Sequence, residues 1–255
     1  MQMTRLAAGA ASLVLAVAAL TACAARPGDG ADPAAAPEPA ATGAAGELAA
    51  TAEVMGRAGN SRIRFHVAAE GLSTTGTGYA QWNGRPALQY FDGKQGTTRI
   101  VGGDLYYSFT ADAAGQWSVL PREEGSPPPM HLSTLAMEHV ADPVAELRRA
   151  ARRADVTDRG TESVAGAPAQ HFRSSSPLLP RSGGAGHGLF DGFADYRPPL
   201  GATCTADFWI NERHELVRLT LTLSADAKRQ EIEADYSEPG SAPEIAAPAS
   251  ATPML

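Results

Sequence analysis

The segment from Val217 to Leu223 constrains the fold more than any other part of this 255-residue chain. Its apolar residues stand at every second position, with Arg218, Thr220 and Thr222 between them. A period of two places the apolar side chains on one face of a β-strand, whereas a helix would spread them around its circumference. The chain therefore contains a sheet with one buried face and one solvated face.

The same alternation recurs along the chain, and turn dipeptides separate the alternating segments. Residues 62–67 alternate in this way, and the pairs Asn83-Gly84 and Asp92-Gly93 are typical of tight antiparallel hairpins. Beyond 62–67, strands are predicted over 78–82, 87–91, 97–101, 105–109, 117–120, 156–164, 167–173, 205–210, 216–223 and 229–236.

Helices are predicted over 46–57, 132–140 and 143–153, where apolar residues have helical spacing. Asp142 is a favourable N-cap for the last helix, and Pro143 occupies its first position, where proline is preferred. In the first helix, the predicted buried face consists of Leu48, Thr51, Ala52 and Met55.

About eleven mostly antiparallel strands with a few helices on one side indicate an α+β fold. No repeat or internal boundary divides the middle of the chain, so residues 44–247 are predicted to form a single domain. Residues 248–255 continue a segment rich in Ala, Pro and Ser that begins at residue 239. Such a composition predicts a disordered tail, because it offers little apolar surface to bury.

The N-terminus has the pattern of a secretion signal. Arg5 precedes an uncharged apolar run, and residues 20–23 read LTAC. This sequence resembles the lipobox of bacterial lipoproteins, which implies cleavage after Ala22 and attachment of acyl chains to the sulfur of Cys23. Residues 1–22 are thus interpreted as a lipoprotein signal peptide. An ordinary secretion signal followed by a chance cysteine is the alternative.

Residues 23–43 are predicted to be a lipidated tether, because they are rich in Ala and Pro and have almost no larger aliphatic side chain. The tether would hold the domain on the outer face of the bacterial cytoplasmic membrane, in the cell envelope. The net charge of −7 argues against nucleic acid as a partner, since proteins that bind it usually have a basic face. We expect a monomer.

A search for catalytic motifs indicates that the protein is not an enzyme. The chain has no Gly-x-Ser-x-Gly, Walker, His-Glu-x-x-His or Cys-x-x-Cys motif, and the six histidines are scattered. We predict no catalytic residue, no metal site and no cofactor. With Cys23 lipidated, Cys204 has no partner within the chain and is interpreted as a passive thiol, with intermolecular pairing or redox sensitivity as the alternative.

Several short motifs resemble actinobacterial cell-envelope lipoproteins of the LppX/LprG type. The resemblance implies a LolA-like fold, in which a strongly curved antiparallel half-barrel sheet holds helices on its concave side around a lipid-sized apolar cavity. Residues 174–203 depart from that pattern as an inserted loop. The matching motifs are Asp142-Pro143 with Leu147, GTESVAG at 160–166 with His171-Phe172, FWIN at 208–211 with LVR at 216–218, and DYS at 235–237 with IAAP at 245–248.

The leading hypothesis is a membrane-anchored protein that binds or transports lipid or another amphiphile in this cavity. One alternative is a module of the same fold that regulates a membrane-protein partner and transports nothing. Another is a hydrolase. A cavity filled by side chains would favour the regulatory module. The candidate ligand-binding residues are Ile63, Phe65, Val67, Leu88, Tyr90, Leu219 and Leu221. Arginines near the end of the last predicted helix are candidates for a headgroup-binding rim: Arg148, Arg149, Arg152 and Arg153.

The lipobox leads to a direct prediction. Replacing Cys23 by Ser removes the sulfur that accepts the acyl group, so metabolic labelling with a radioactive fatty acid is expected to disappear. Processed protein should then leave the membrane fraction, while the wild-type chain stays in it. Labelling that persists in Cys23→Ser would contradict the assignment.

Overall fold

A computed structural model describes residues 42–69, 72–91, 93, 96–109, 116–121, 137, 139–153, 155–177, 203–225 and 228–254. The helices are α1 (Gly43–Ala58) and α2 (Pro143–Ala151), and residue 137 and residues 139–141 are also helical. The strands are β1 (Asn60–Ala69), β2 (Leu72–Gln81), β3 (Ala87–Phe91), β4 (Gly96–Val101), β5 (Asp104–Phe109), β6 (Ser118–Leu120), β7 (Thr157–Val164), β8 (Ala167–Pro177), β9 (Thr203–Ile210), β10 (Leu216–Ala225), β11 (Lys228–Ser237) and β12 (Thr252–Pro253).

The strands form one open, curved sheet in the order β12-β6-β5-β4-β3-β2-β1-β11-β10-β9-β8-β7. Neighbouring strands are antiparallel except β12, which runs parallel to β6. The predicted α+β half-barrel is confirmed, with twelve strands where about eleven were expected. Most predicted strands agree with the observed bounds to within a few residues; β12 is the strand that the sequence pattern did not indicate.

One face of the sheet is apolar and supports the helices. Leu219 on β10 pairs with Ala234 on β11, and Ala234 pairs in turn with Phe65 on β1, so the three side chains share a face. Residues of that face form a single buried cluster with Met55 of α1 and Leu147 of α2. The face under the helices is called the concave face below, and the opposite face is called the outer face.

Helix α1 buries the four residues that its spacing predicts. It ends at Gly59, which has a φ of 73° and donates its N–H to the carbonyl of Met55 at 3.0 Å. Glycine suits this position because it adopts left-handed backbone without steric cost. The indole N–H of Trp82 also donates to the Met55 carbonyl, at 2.7 Å. The end of α1 is thereby attached to the segment that follows β2.

The predicted N-terminus of α2 is confirmed in detail. The carboxylate of Asp142 accepts a hydrogen bond from the N–H of Ala145 at 3.0 Å, and Pro143 begins the helix. Just before it, the carbonyl of Val140 accepts a hydrogen bond from the buried hydroxyl of Tyr236 at 2.8 Å. This bond joins the helical residues 139–141 to β11.

Residues 239–254, named the C-terminal strap, are bound to the sheet although the segment is rich in Ala, Pro and Ser. Ile245 is 4% exposed, and its N–H donates to the side-chain carbonyl of Gln81 at 3.0 Å. The guanidinium of Arg99 donates to the carbonyl of Ala246 at 3.0 Å. Gln81 and Arg99 belong to the outer face, because their registers alternate with those of concave-face residues. The strap therefore covers the outer face of β2 to β4.

The end of the strap corrects the prediction that residues 248–255 form a disordered tail. The N–H of Thr252 donates to the carbonyl of Trp117 at 2.9 Å, and the N–H of Met254 donates to Val119 at 2.8 Å. These bonds satisfy acceptors on the edge of β6, which would otherwise be open. Composition misled the prediction because one buried isoleucine and an edge pairing are enough to order an otherwise weakly apolar segment.

The two ends of the predicted insertion at 174–203 are strand residues. Ser174 pairs with Ala206 and Pro177 pairs with Thr203, so both ends of the segment belong to β8 and β9. Residues 178–202 lie outside the described residues, as do the predicted signal peptide and Cys23. Within the described part of the chain, none of the helices has both the length and the apolar character needed to cross a bilayer.

The strap generates a prediction about stability. Ile245→Ala removes buried methyl and methylene groups and is expected to lower the free energy of unfolding by about 2 kcal/mol, the low end for buried Ile→Ala changes. The neighbouring Glu244 is exposed, so Glu244→Ala serves as the matched control and should change stability by less than about 0.5 kcal/mol. Urea denaturation measures both variants. Equal effects of the two substitutions would show that the strap does not stabilise the fold.

Candidate functional site

The structure brings the seven candidate ligand-binding residues to the concave face. Leu221 pairs with Ile232, which pairs with Val67, and this row lies beside the row of Leu219 and Phe65. Ile63 on β1 pairs with Gly78 on β2, which pairs in turn with Tyr90 on β3. Leu88 lies two residues before Tyr90 and so shares this face.

Six of the seven residues are at most 6% exposed and belong to the buried core cluster, and Tyr90 is partly buried against that cluster. Leu88 and Leu219 are 0% exposed, Ile63 is 2% exposed, and all three belong to the core cluster that includes residues of α1 and α2. Side chains of the helices thus cover this part of the face. Contact with a ligand here stays a prediction, whereas contact with the helices is observed.

Toward the other end of the face, four aromatic residues form what we call the aromatic row: Phe65, Tyr90, Tyr107 and Phe109. The rings of Phe65 and Tyr90 meet edge to face, with centroids 4.9 Å apart. Tyr90 and Tyr107 both pair with Thr98 and so flank the same strand, and the ring of Tyr107 stacks on Phe109 at 6.0 Å. Exposure rises along the row from 3% at Phe65 to 39% at Phe109.

A glycine in β2 makes room for the buried end of the row. A Cβ atom at Gly76 would lie 2.4 Å from the ring of Phe65, so the ring occupies the space that any larger residue would need. Farther along the row, burial raises the pKa of the Tyr107 hydroxyl above its usual range, and the nearby Tyr90 adds to this effect. The row therefore passes from a packed interior to an accessible apolar surface. Sequence reasoning identified Phe65 and Tyr90 but missed Tyr107 and Phe109, although their alternation in β5 was a usable signal.

The four candidate rim arginines do not share one environment. Arg149 forms an ion pair with Glu146, and Arg153 binds both carboxylate oxygens of Asp155, at 2.7 and 3.0 Å. Arg148 and Arg152 are exposed. A common role for all four arginines in headgroup binding stays a prediction. Arg149 and Arg153 already have carboxylate partners within the protein.

A pocket of about 320 Å³, lined by both charged and apolar side chains, opens at the other end of β4 and is named the Glu146 pocket. Glu146 is only 1% exposed; its Oε1 atom pairs with Arg149 and lies 2.6 Å from Nδ1 of His139. The wall also includes Arg85 from the turn between β2 and β3, Gly102 from the turn between β4 and β5, and Asp142, the N-cap of α2. The sequence analysis placed no function on Glu146, although a carboxylate beside the apolar residues of α2 is an unusual feature.

Histidine and carboxylate groups also meet on the outer face. Nε2 of His171 lies 2.6 Å from Asp207, which accepts two hydrogen bonds from Arg173, and Nδ1 lies 2.8 Å from Glu162. The indole of Trp209 stacks on His171 at 4.3 Å and donates to Glu162, and this hydrogen bond, together with that of His171, lowers the pKa of Glu162. Both ring nitrogens of His171 thus face carboxylates, so the ring has no nitrogen directed at a nucleophile. The cluster has the composition of a structural network.

Among the described residues, no group of three or more His, Cys, Asp or Glu side chains is arranged to hold a metal ion. Cys204 lies in the core with no exposed surface, and burial raises the pKa of its thiol well above the usual range. A thiol that is both inaccessible and protonated is a poor nucleophile.

Neither a protein-family model nor a curated protein matches this sequence, but several solved structures do. The lipoprotein LppX of Mycobacterium tuberculosis matches over 78% of this chain and 98% of its own, at 15% identity and a TM-score of 0.44. LprF from Mycobacterium bovis matches over 81% and 97%, at 14% identity and 0.45, and MucB over 82% and 65%, at 14% identity and 0.41. LppX is of the LppX/LprG type that the sequence motifs resemble, and at these identities and TM-scores the similarity does not extend to function.

The burial of Cys204 can be tested chemically. In the mature chain carrying Cys23→Ser, Cys204 is the remaining thiol, because the sequence contains two cysteines. We expect it to react with dithionitrobenzoate only slowly in native buffer at pH 8, and at once after unfolding in guanidinium chloride. Rapid reaction in native buffer would show that this region opens and would restore redox sensitivity as a hypothesis.

Proposed function

We propose that this protein is a membrane-anchored extracytoplasmic lipoprotein that binds lipid or another amphiphile at the aromatic row of its concave face. The observation that supports this proposal is the gradient of burial along the row, from Phe65 in the core to the exposed ring of Phe109. A continuous apolar surface that begins in the interior and ends at solvent suits a flexible acyl chain. Such a chain gains about 0.8 kcal/mol for each methylene that it removes from water.

The chemistry of the row supports an amphiphile more than a purely apolar ligand. Tyr90 and Tyr107 each combine an aromatic ring with a hydroxyl, so they offer apolar contact and hydrogen bonding at the same place. Arg148 on α2 and Arg152 directly after its end are exposed, and their positive charge would complement anionic headgroups. We assign the acyl chain to the aromatic row and retain these two arginines as candidates for headgroup contact.

The predicted anchor fits this role. Helix α1 begins at Gly43, where the predicted tether ends. An extended, proline-rich tether spans roughly 3.1 Å per residue, so about twenty residues allow the domain to reach on the order of 60 Å from the bilayer. A domain held within that distance meets membrane lipids at high local concentration, which favours exchange of amphiphiles with the membrane.

A second candidate function is that of a module that regulates a membrane partner and transports nothing. The observation that favours it is the complete burial of Leu88 and Leu219 under the helices, which fills the inner part of the concave face. If side chains also fill the space along the aromatic row, no acyl chain can enter it. Uptake of an acyl probe therefore distinguishes the two functions.

Two exposed phenylalanines on opposite faces of the sheet, Phe91 on β3 and Phe109 on β5, provide a matched test. Phe109 belongs to the concave face, whereas Phe91 pairs with Thr97 on the outer face and is 46% exposed. We expect Phe109→Asp to weaken binding of a pyrene-labelled fatty acid by about tenfold or more, because it places a charge on the apolar surface. Phe91→Asp introduces the same charge on the other face and should leave binding unchanged.

The measurement is pyrene fluorescence with the mature Cys23→Ser chain, and circular dichroism verifies that each variant is folded. If the parent chain takes up no probe, the carrier function is wrong and the regulatory module becomes the better description. If both aspartate variants lose binding equally, the acyl chain does not bind at the aromatic row.

A further inference from the structure

Two exposed phenylalanines meet where β3 and β5 end and β4 begins. Phe91 is the last residue of β3, Phe109 is the last residue of β5, and Gly96 begins β4 between them. Their rings lie on opposite faces of the sheet and are 46% and 39% exposed. Within the described part of the chain, Met254 is the third large apolar side chain with such exposure. Two of these three side chains therefore stand at one end of adjacent strands.

The outer face around Phe91 is polar but uncharged. Its neighbours on β2, β4 and β5 carry hydroxyl groups: Thr75, Thr77, Thr97 and Ser108. The first two are exposed and the last two are half-buried. Together with Phe91 and Phe109, these four residues are named the Phe91 surface.

The absence of charge distinguishes the Phe91 surface from the other described parts of the outer face. Arg64 pairs with Thr77 in the strand register and forms an ion pair with Asp235, so it marks the boundary on the β1 side. The C-terminal strap covers the opposite end of β2 to β4. The connection between β3 and β4 contains one acidic and one basic residue, Asp92 and Lys94, and so adds no net charge.

This combination of groups suits the interface of a lipid bilayer. A phenylalanine ring gains free energy when it leaves water, and a hydroxyl group can form hydrogen bonds with headgroup and ester oxygens, whereas an ionised side chain would lose hydration. Because the two rings lie on opposite faces at the strand ends, a bilayer that meets this end of the sheet receives both of them. A protein packed on one face of the sheet would contact only one.

The Phe91 surface is continuous with the aromatic row. The ring of Phe109 stacks on Tyr107 at 6.0 Å, and from there the row continues into the core at Phe65. An acyl chain that leaves a bilayer beside Phe109 can therefore enter the row without exposing its methylene groups to bulk water.

The predicted tether is long enough for this contact. Gly43, where the tether ends, lines a cavity together with Ile210 and Asn211 at the end of β9. Five strand-to-strand steps of about 4.8 Å separate β9 from β3, which gives about 24 Å across the sheet. The tether reaches on the order of 60 Å. The anchored chain can thus place its Phe91 surface on the bilayer.

We propose that the Phe91 surface docks on the bilayer to which the chain is anchored, with Phe91 and Phe109 inserted at the level of the headgroups. The aromatic row then opens directly to membrane lipid. This inference rests on the proposed function and names the membrane contact through which the ligand enters.

Flotation with phosphatidylcholine vesicles tests the docking, with the mature Cys23→Ser chain, which has no acyl anchor. Phe91→Asp and Thr77→Asp each place a charge on the Phe91 surface and are expected to lower the vesicle-bound fraction by about fivefold or more. Ser163→Asp adds the same charge at an exposed position of β7 and should have no effect. Phe91→Trp should increase binding, because tryptophan favours the membrane interface. Circular dichroism verifies that each variant is folded.

Three results would overturn the docking proposal. The first is a parent chain that does not float with the vesicles. The second is binding that the three aspartate variants share equally or that high salt abolishes, since salt screens charge contacts and not apolar ones. The third is a dimer in analytical ultracentrifugation that Phe91→Asp dissociates, which would assign the surface to a second copy of the chain.

Pyrene fatty-acid binding without vesicles separates failure of the docking from failure of the proposed function. A parent chain that takes up the probe but does not bind vesicles has the acyl-binding function without the docking. A parent chain that binds vesicles through the Phe91 surface but takes up no probe has the docking without the carrier function. Phe91→Asp should lose vesicle binding and keep probe binding.

Discussion

Burial of the concave face under α1 and α2 is the constraint on which the rest of this structure depends. The sheet is strictly one-sided along its central strands, so apolar residues such as Leu219 and Phe65 must be covered by another layer. Two buried hydrogen bonds fix the cover in place, from Trp82 to the end of α1 and from Tyr236 to Val140. The helices cover the inner part of the face, and the aromatic row is the part that reaches solvent.

The outer face is stabilised by different interactions in its two halves. In the C-terminal half, His171, Asp207 and their neighbours form a hydrogen-bonded network that satisfies buried polar groups. In the N-terminal half, the C-terminal strap places Ile245 against the sheet and pairs with the edge of β6. The half of the sheet that forms the aromatic row is therefore supported from behind, which keeps its concave surface in a defined shape.

The aromatic row and the Glu146 pocket differ because the two ends of β4 meet different elements. At one end, Tyr107 and Phe109 continue the apolar face past the core cluster. At the other end, the beginning of α2 brings Glu146 and Arg149 against the turns of the sheet and creates the Glu146 pocket. A single curved sheet thus presents an accessible apolar surface at one end of β4 and a pocket with several charged side chains at the other.

The amino-acid sequence alone was sufficient for eleven of the twelve strands of the described sheet, the buried stripe of α1 and the cap at Asp142, because each follows from local spacing. It could not predict the strap, since the burial of Ile245 depends on a strand more than 140 residues away. Nor could it find the pocket, where Arg85 and Glu146 come from distant segments. Periodicity determines which face of an element is apolar, whereas the parts of that face that remain open, and the polar groups that meet, depend on how the elements pack.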